Sequence, residues 1–216
     1  EIGRLRLSRL YDLDFERPAP LVPRRWRREI RERMNHRGEV VTPLDRDGAA
    51  AAIDRLLAEG VESIAVCFLH AYANPAHEAQ VGAMIRARAP HVALTLSSEI
   101  LPEMREFERT STAVTNAYVM PVMGRYLASL EGELRALEAR APLLIMQSNG
   151  GVMPAEGGRQ RPVHVIESGP AAGVIATAAL ARAIGAPNAL SIDMGGTTAK
   201  ASIIEGYEIK RTGEFE

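Results

Sequence analysis

The 216 residues are 46% hydrophobic and 25% charged, a balance that suits one or two globular domains with a buried core. A formal net charge of −1 supplies no global field for nucleic acid or an acidic membrane surface, and the single cysteine excludes an intramolecular disulfide. The single cysteine also reads as cytoplasmic. No apolar run reaches the ~20 residues that a spanning helix needs, and the first residues lack a signal-peptide pattern.

Residues 4–13 are read as a strand, followed by extended chain through Pro18, Pro20 and Pro23. The run Arg24-Arg25-Trp26-Arg27-Arg28-Glu29-Ile30-Arg31-Glu32-Arg33 has the composition of an RNA or phosphate patch. Balanced overall charge favours instead a short helix with Glu–Arg pairs on a solvated face. Residues 38–41 read as the entry to a strand. Residues 47–59 read as a helix with Ile53, Leu56 and Leu57 on one face and Gly60 as its stop.

Residues 61–69 form a continuous apolar run, the kind a strand covered on both faces needs, and Cys67 within it is read as a core thiol. Asn74 and Pro75 start a helix that continues to Ala89. His77 in its first turn and His70 lie on different elements without ligand spacing, so they are not read as a metal pair. Residues 92–96 are a further strand. Strand, helix, strand in that order implies a right-handed parallel crossover.

A long helical stretch covers residues 102–140, and Pro121 should kink or divide it. Leu127, Leu130, Leu134 and Leu137 recur at helical spacing, a stripe for the core or for a facing lobe. Residues 143–146 are a strand that leaves through Gln147-Ser148-Asn149-Gly150-Gly151. Open α/β sheets bind ligands at such exits. The same residues also make a plain type I′ turn at Asn149-Gly150.

Residues 166–186 read as a helix with Ser168 as N-cap, Pro170 in the first turn and Gly185 as the stop. Its residues are small, among them Ala171, Ala172, Gly173, Ala176 and Ala178, which lets another backbone come close. The apolar run 189–192 then leads into Asp193-Met194-Gly195-Gly196-Thr197-Thr198. Two glycines allow backbone to approach an anion, and consecutive N–H groups there make an anion-binding nest. The threonine hydroxyls suit phosphate oxygens, and an Asp suits Mg²⁺ or an attacking water. A Gly-Gly hairpin turn between 190–193 and 199–204 fits the same six residues. The preceding small-residue helix favours the phosphate reading. Together they look like the inter-lobe helix and second phosphate loop of the actin, sugar kinase and Hsp70 ATPase superfamily.

Segments along nearly the whole chain resemble the hydantoinase A/5-oxoprolinase family, which includes acetone carboxylase subunits. They are Tyr11-Asp12-Leu13, the run from Ser63 to His70, Asn74-Pro75-Ala76-His77-Glu78 and the run from Ser97 to Glu103. They continue with the run from Glu106 to Thr112, Asn116-Ala117-Tyr118, Ser148-Asn149-Gly150-Gly151, the run from Glu167 to Gly173, and the Asp193 loop.

The resemblance implies an α/β fold of mixed sheets with flanking helices, forming part of the ribonuclease-H-like lobes of an actin-like ATPase. Residues 1–98 would be the C-terminal part of the family's N-terminal region, and 99–216 the N-terminal part of its ATPase domain. It implies ATP-dependent opening of a cyclic amide or imide of hydantoin or 5-oxoproline type, by phosphoryl activation of a carbonyl. Alternatives are a subunit of an acetone-type carboxylase, where a ketone or its enolate is activated, and a non-catalytic assembly module. A sugar-kinase-like phosphotransferase shares the Asp193 loop but leaves the Ser148 and Glu167 segments unexplained.

On this resemblance Asp193 and Thr197 are catalytic, with Asp193 beside Mg²⁺ or another divalent cation. Gly195, Gly196, Thr197 and Thr198 hold the β- and γ-phosphates of ATP. Gly169, Pro170, Ala171 and Gly173 form the hinge helix beside the nucleotide. Glu108, Arg109, Thr110, Asn149 and Gly150 are candidates for substrate or inter-lobe contacts, although the first three read equally well as ion pairing on a helix surface. Implied partners are a small cyclic amide, a hydantoinase B-type subunit or domain, and further copies in an oligomer; nucleic acid and membrane are not among them.

The departures also carry expectations. No first Asp-x-Gly-Gly-Thr loop precedes Asp193, the adenosine-binding segment is missing, and Thr198-Ala199-Lys200 differs from the usual Ser-Thr/Asp flavour. The chain lacks an initiator Met and is read as an internal stretch of a longer protein. Alone, it is expected to bind ATP poorly and not to turn over.

Overall fold

A computed structural model describes residues 19–209; the strand expected over 4–13, with Tyr11-Asp12-Leu13, lies outside them. The chain divides into two compact units after Pro121.

The first unit opens with a 3-10 turn, Arg24–Trp26, and a short antiparallel pair, β1 (Arg33–Met34) with β2 (Val40–Thr42). Helix α1 (Arg46–Ala58) follows, capped by Asp45, whose carboxylate accepts from Gly48 N at 2.9 Å. Gly60, at φ +75°, ends it in a conformation that suits glycine. Strand β3 (Ser63–Val66), helix α2 (Ala76–Arg88) and strand β4 (Ala93–Leu96) form the expected crossover, with β3 and β4 parallel from Ser63↔Ala93 to Val66↔Leu96. A one-turn helix α3 (Ser97–Ile100) and the start of α4 (Glu106–Ala136) complete the unit. The core joins Ala49 and Ile53 of α1, Ile64 and Val66 of β3, Val81 and Ile85 of α2, and Leu96 of β4. Each of the Ile, Val and Leu side chains contributes about 1.5–3 kcal/mol by leaving water.

Three expectations in this unit are corrected. The run 61–69 yields only four residues of strand, and burial alternates along it rather than covering both faces. Among the described residues β3 pairs only with β4, and the chain turns away at Cys67. Cys67 is half-buried at the edge of the core rather than within it, and its surroundings, burial first and then the charge of Glu78, push its thiol pKa up to about 12. The arginine-rich segment forms no helix beyond Arg24–Trp26. Distant partners hold it extended: Arg28 donates to Glu59 at 2.6 Å, and Asp45 N donates to Arg31 O at 2.9 Å. Tertiary contacts here override a weak helical preference.

The second unit begins within α4, which runs through Pro121 without dividing. Leu127 is buried and Leu130 and Leu134 half-buried, but Leu137 is 79% exposed. Leu137 lies one residue beyond the helix, where the chain turns at Glu138 in a left-handed conformation, φ +58°, so the stripe stops with the helix at Leu134. Strands β5 (Leu144–Met146) and β6 (Val152–Pro154) make an antiparallel hairpin, followed by α5 (Ala155–Gln160) and a 3-10 turn, Pro162–Val165. Helix α6 (Ser168–Ala183) then leads into an antiparallel sheet in the order β7 (Ala189–Met194), β8 (Ala199–Glu205), β9 (Glu208–Ile209). Ser191 of β7 is buried, while Leu190, Ile192 and Met194 on the opposite face stay exposed, as does Ile203 of β8. Among the described residues, no helix is long and apolar enough to cross a membrane.

The architecture is α/β: among the described residues, small sheets, one parallel and three antiparallel, are flanked by helices.

Candidate functional site

Side chains alternate along a strand, so Ser191 and Asp193 share one face of β7. The β7–β8 register pairs Asp193 with Lys200, and directly opposed residues of an antiparallel pair project to the same face. The loop between the strands, residues 195–198, closes when Gly195 N donates to Thr198 O at 2.9 Å. One glycine N–H is thus used by the turn. A side chain built at Gly196 would meet nothing within 4 Å, so that part of the loop faces open space.

Helix α6 begins beside this loop. Its N-cap position is Glu167, at φ +65°, and Ser168 is the first helical residue, a correction by one position. No side chain caps the helix, which leaves its first N–H groups and the positive end of its dipole available to an anion. Further along, α6 lies close on β7: a Cβ at Gly173 would sit 4.0 Å from Ser191 Oγ.

Between helix start and loop is a cleft of about 330 Å³, lined by Val165, Glu167, Ser168, Gly169 and Pro170 on one side and Asp193, Gly195, Thr198 and Lys200 on the other. Of the expected site residues, Gly169, Pro170, Asp193, Gly195 and Thr198 therefore converge. Gly196 and Thr197 belong to the same exposed loop without lining the cleft, and Ala171 and Gly173 lie deeper along α6. Lys200 forms an ion pair with Glu167. Both sit in segments singled out from sequence, but neither was given a role there, although counting on from Asp193 through a four-residue hairpin loop places Lys200 opposite it.

Asn149 and Gly150 form the turn between β5 and β6. Gln147 and Gly151 close it, with Gln147 N donating to Gly151 O at 2.8 Å, and Gly150 takes φ +87°. This is a three-residue turn with glycine in the left-handed position rather than a two-residue type I′ turn. Asn149 Oδ1 accepts from Gly151 N at 2.8 Å. Ser148 donates to His164 O from both its N, at 2.8 Å, and its Oγ, at 3.0 Å, and so anchors the segment that enters the cleft at Val165.

Glu108, Arg109 and Thr110 lie in the first unit. Arg109 is not a helix-surface residue: it is 1% exposed. Its Nε donates to Ser97 Oγ at 3.2 Å, Nη1 to Glu103 O at 2.6 Å and Nη2 to Phe68 O at 2.9 Å, and the guanidinium lies 5.6 Å from the Tyr72 ring centre. Glu108 is half-buried, and Thr110 hydrogen-bonds the Cys67 thiol. Glu78 completes this network. It accepts from Phe68 N at 2.8 Å, Ser97 Oγ at 2.6 Å, Ser98 N at 2.9 Å and Ser98 Oγ at 2.7 Å. His77 Nδ1 lies 2.7 Å from Glu32 Oε2, both side chains buried. Glu78, Ser97 and Arg109 all sit in segments quoted above for the resemblance, so their presence was visible and their mutual contact was not.

Among the described residues, no group of three or more His, Cys, Asp or Glu side chains could hold a metal. A cation at Asp193 would take its remaining ligands from phosphate and water, as Mg²⁺ commonly does.

The Hydantoinase/oxoprolinase family model matches residues 109–216, and the Hydantoinase/oxoprolinase N-terminal region matches residues 1–89. Caprolactamase subunit alpha of Pseudomonas jessenii is 39% identical over 91% of this chain and 28% of its own length. The crystal structure of the ATP-dependent caprolactamase from Pseudomonas jessenii covers 93% of this chain, with TM-score 0.82 and 38% identity over 29% of that chain. The nucleotide-free structure of acetone carboxylase, from work on ATP-dependent acetone carboxylation, covers 89% of this chain and 27% of its own, with TM-score 0.79 and 27% identity. The chain thus spans less than a third of the length of these relatives. With one model matching each half, the chain belongs to the hydantoinase/oxoprolinase family.

Proposed function

We propose that this chain is part of an ATP-dependent enzyme that opens a cyclic amide or imide, of lactam, hydantoin or 5-oxoproline type, by phosphoryl activation of its carbonyl. The observation that carries the reading is the cleft in which Asp193, Gly195 and Thr198 meet the uncapped start of α6. An amide resists hydrolysis because resonance strengthens its C–N bond. Moving a phosphoryl group to the carbonyl oxygen removes that resonance and supplies a leaving group, and such transfer needs positioning and charge stabilisation above all.

Asp193 would hold Mg²⁺ or another divalent cation. Gly195 and Gly196, with Thr197 and Thr198, would bind the β- and γ-phosphates, and Thr197 would act beside Asp193. Gly169, Pro170, Ala171 and Gly173 would form the wall and hinge beside the nucleotide. Asn149 and Gly150 act at one remove, through the hairpin that holds the cleft segment. Arg109, with Glu108 and Thr110 beside it, acts by positioning the first unit rather than by touching substrate.

The likeness to acetone carboxylase favours a second reading, in which the activated group is a ketone or its enolate. The caprolactamase relative is named as a subunit, which supports a partner subunit. A hydantoinase B-type partner, further copies in an oligomer and a cytoplasmic location belong to the same proposal.

The test is calorimetric titration of Mg-ATP into the intact protein and its Asp193→Asn variant, with ATP turnover measured against caprolactam, hydantoin, 5-oxoproline and acetone with bicarbonate. Asp193→Asn should weaken Mg-ATP binding by about tenfold or more, the worth of one charge-assisted contact. Turnover with acetone and bicarbonate alone would establish the second reading. Binding indifferent to the substitution would make the loop a structural hairpin. The 216 residues by themselves should bind weakly and not turn over.

A further inference from the structure

We infer that Lys200 is a phosphate-binding residue held in reserve by Glu167, and that an arriving polyphosphate displaces the Glu167 carboxylate from it. The inference rests on the nucleotide reading of the cleft.

Three observations carry it. First, Lys200 is placed by register opposite Asp193 and lines the cleft with it, so its ammonium lies on the face where a phosphate chain would enter. Second, its partner Glu167 occupies the N-cap of α6 yet gives the helix no side-chain cap; its carboxylate faces Lys200 instead. Glu167 does this from a left-handed backbone conformation, φ +65°, which costs a non-glycine residue strain and is found where the surrounding structure demands it. Third, the pair is solvated: the Lys200 and Glu167 side chains are 37% and 46% exposed. A solvated pair is weak and easily exchanged.

The charges explain why an exchange is needed. Three charged side chains line the cleft: Asp193 and Glu167, both negative, and Lys200, positive. With two carboxylates and one ammonium the cleft is net acidic and repels a phosphate chain. A divalent cation on Asp193 offsets one carboxylate. Transfer of Lys200 from carboxylate to phosphate supplies a cation directly, and an ammonium suits this as a mobile point charge on a flexible stem.

The experiment uses the intact protein and two probes, Mg-ATP and metal-free inorganic tripolyphosphate, titrated into Lys200→Met, Lys200→Arg, Glu167→Gln and Asp193→Asn. Lys200→Met should weaken both probes by about tenfold or more, with Lys200→Arg retaining most of the affinity, as expected for one charge-assisted contact. Glu167→Gln should tighten tripolyphosphate severalfold, because it frees the ammonium and removes a like charge. Neither change should lower Tm by more than about 2 °C, since the pair is exposed. If Lys200→Met binds both probes normally while Asp193→Asn weakens Mg-ATP, the inference falls and the nucleotide reading stands. If Glu167→Gln weakens tripolyphosphate, the reserve role is overturned. If neither Asp193→Asn nor Lys200→Met alters Mg-ATP binding, the nucleotide reading falls, and the inference with it.

Discussion

Arg109 donates from Nε to Ser97 Oγ over 3.2 Å, and both side chains are sealed from solvent. The same Ser97 hydroxyl donates to Glu78 Oε1 at 2.6 Å, so it relays between a buried cation and a buried carboxylate. The relay ties the ends of β3 and β4 to α2 and α4. Removing one partner of a buried charged pair leaves the other uncompensated, so Arg109→Ala should cost about 3–5 kcal/mol in urea denaturation. Arg109→Lys should not restore it, because one ammonium cannot reach Ser97, Glu103 and Phe68 together as the planar fork does. A lysine variant of unchanged stability but raised KM would instead make Arg109 a substrate contact.

Cys67 should be unreactive toward alkylating reagents near pH 8 in the folded protein and reactive in denaturant. Its pKa stands at about 12, raised first by burial. Because the folded value lies above the unfolded one, the thiol's contribution to stability is complete below pH 9. It is lost as pH climbs toward 12. Cys67→Ala should flatten stability across that window, measured by denaturation at several pH values.

Two glycines should respond oppositely to alanine. At Gly82 a Cβ would lie 3.1 Å from both Leu96 Cδ1 and Cδ2, inside the core of the first unit, so Gly82→Ala should destabilise by about 1–3 kcal/mol through overpacking. At Gly173 the nearest atom is Ser191 Oγ at 4.0 Å, so Gly173→Ala should leave stability unchanged or raise it by up to about 1 kcal/mol through helix propensity. Thermal melting of the two variants decides between these signs.

His164 connects the Ser148 hairpin to the cleft, and burial, followed by the charge of Arg161, holds its pKa below the ordinary 6.5. A histidine with a depressed folded pKa stabilises above its unfolded value and loses that contribution as pH falls below it. Stability should therefore decline on acidification below pH 6.5, and His164→Gln should reduce the slope. Separately, Ser148→Ala should cost about 1 kcal/mol through the lost hydroxyl bond to His164 O, measured at neutral pH.

What the sequence by itself determined is local. The helical period over 47–59, the β3–α2–β4 order, the small-residue helix before an Asp-Gly-Gly loop and the hairpin turn at Gly150 all follow from residues a few positions apart. Propensity, period and turn chemistry act over that range, and the segments that carry the family likeness are local too. Only the tertiary structure decided which of those segments meet. Phe68 and Arg109 are 41 residues apart and His77 and Glu32 are 45 apart, and no periodicity links them. The arginine-rich run became extended because the distant Glu59 carboxylate and Asp45 N–H bind it. Lys200 became part of the cleft because strand pairing set it opposite Asp193, and Glu167 because a left-handed N-cap turned it toward that lysine. Such contacts depend on chain closure, whose energetic return comes only after distant segments have met.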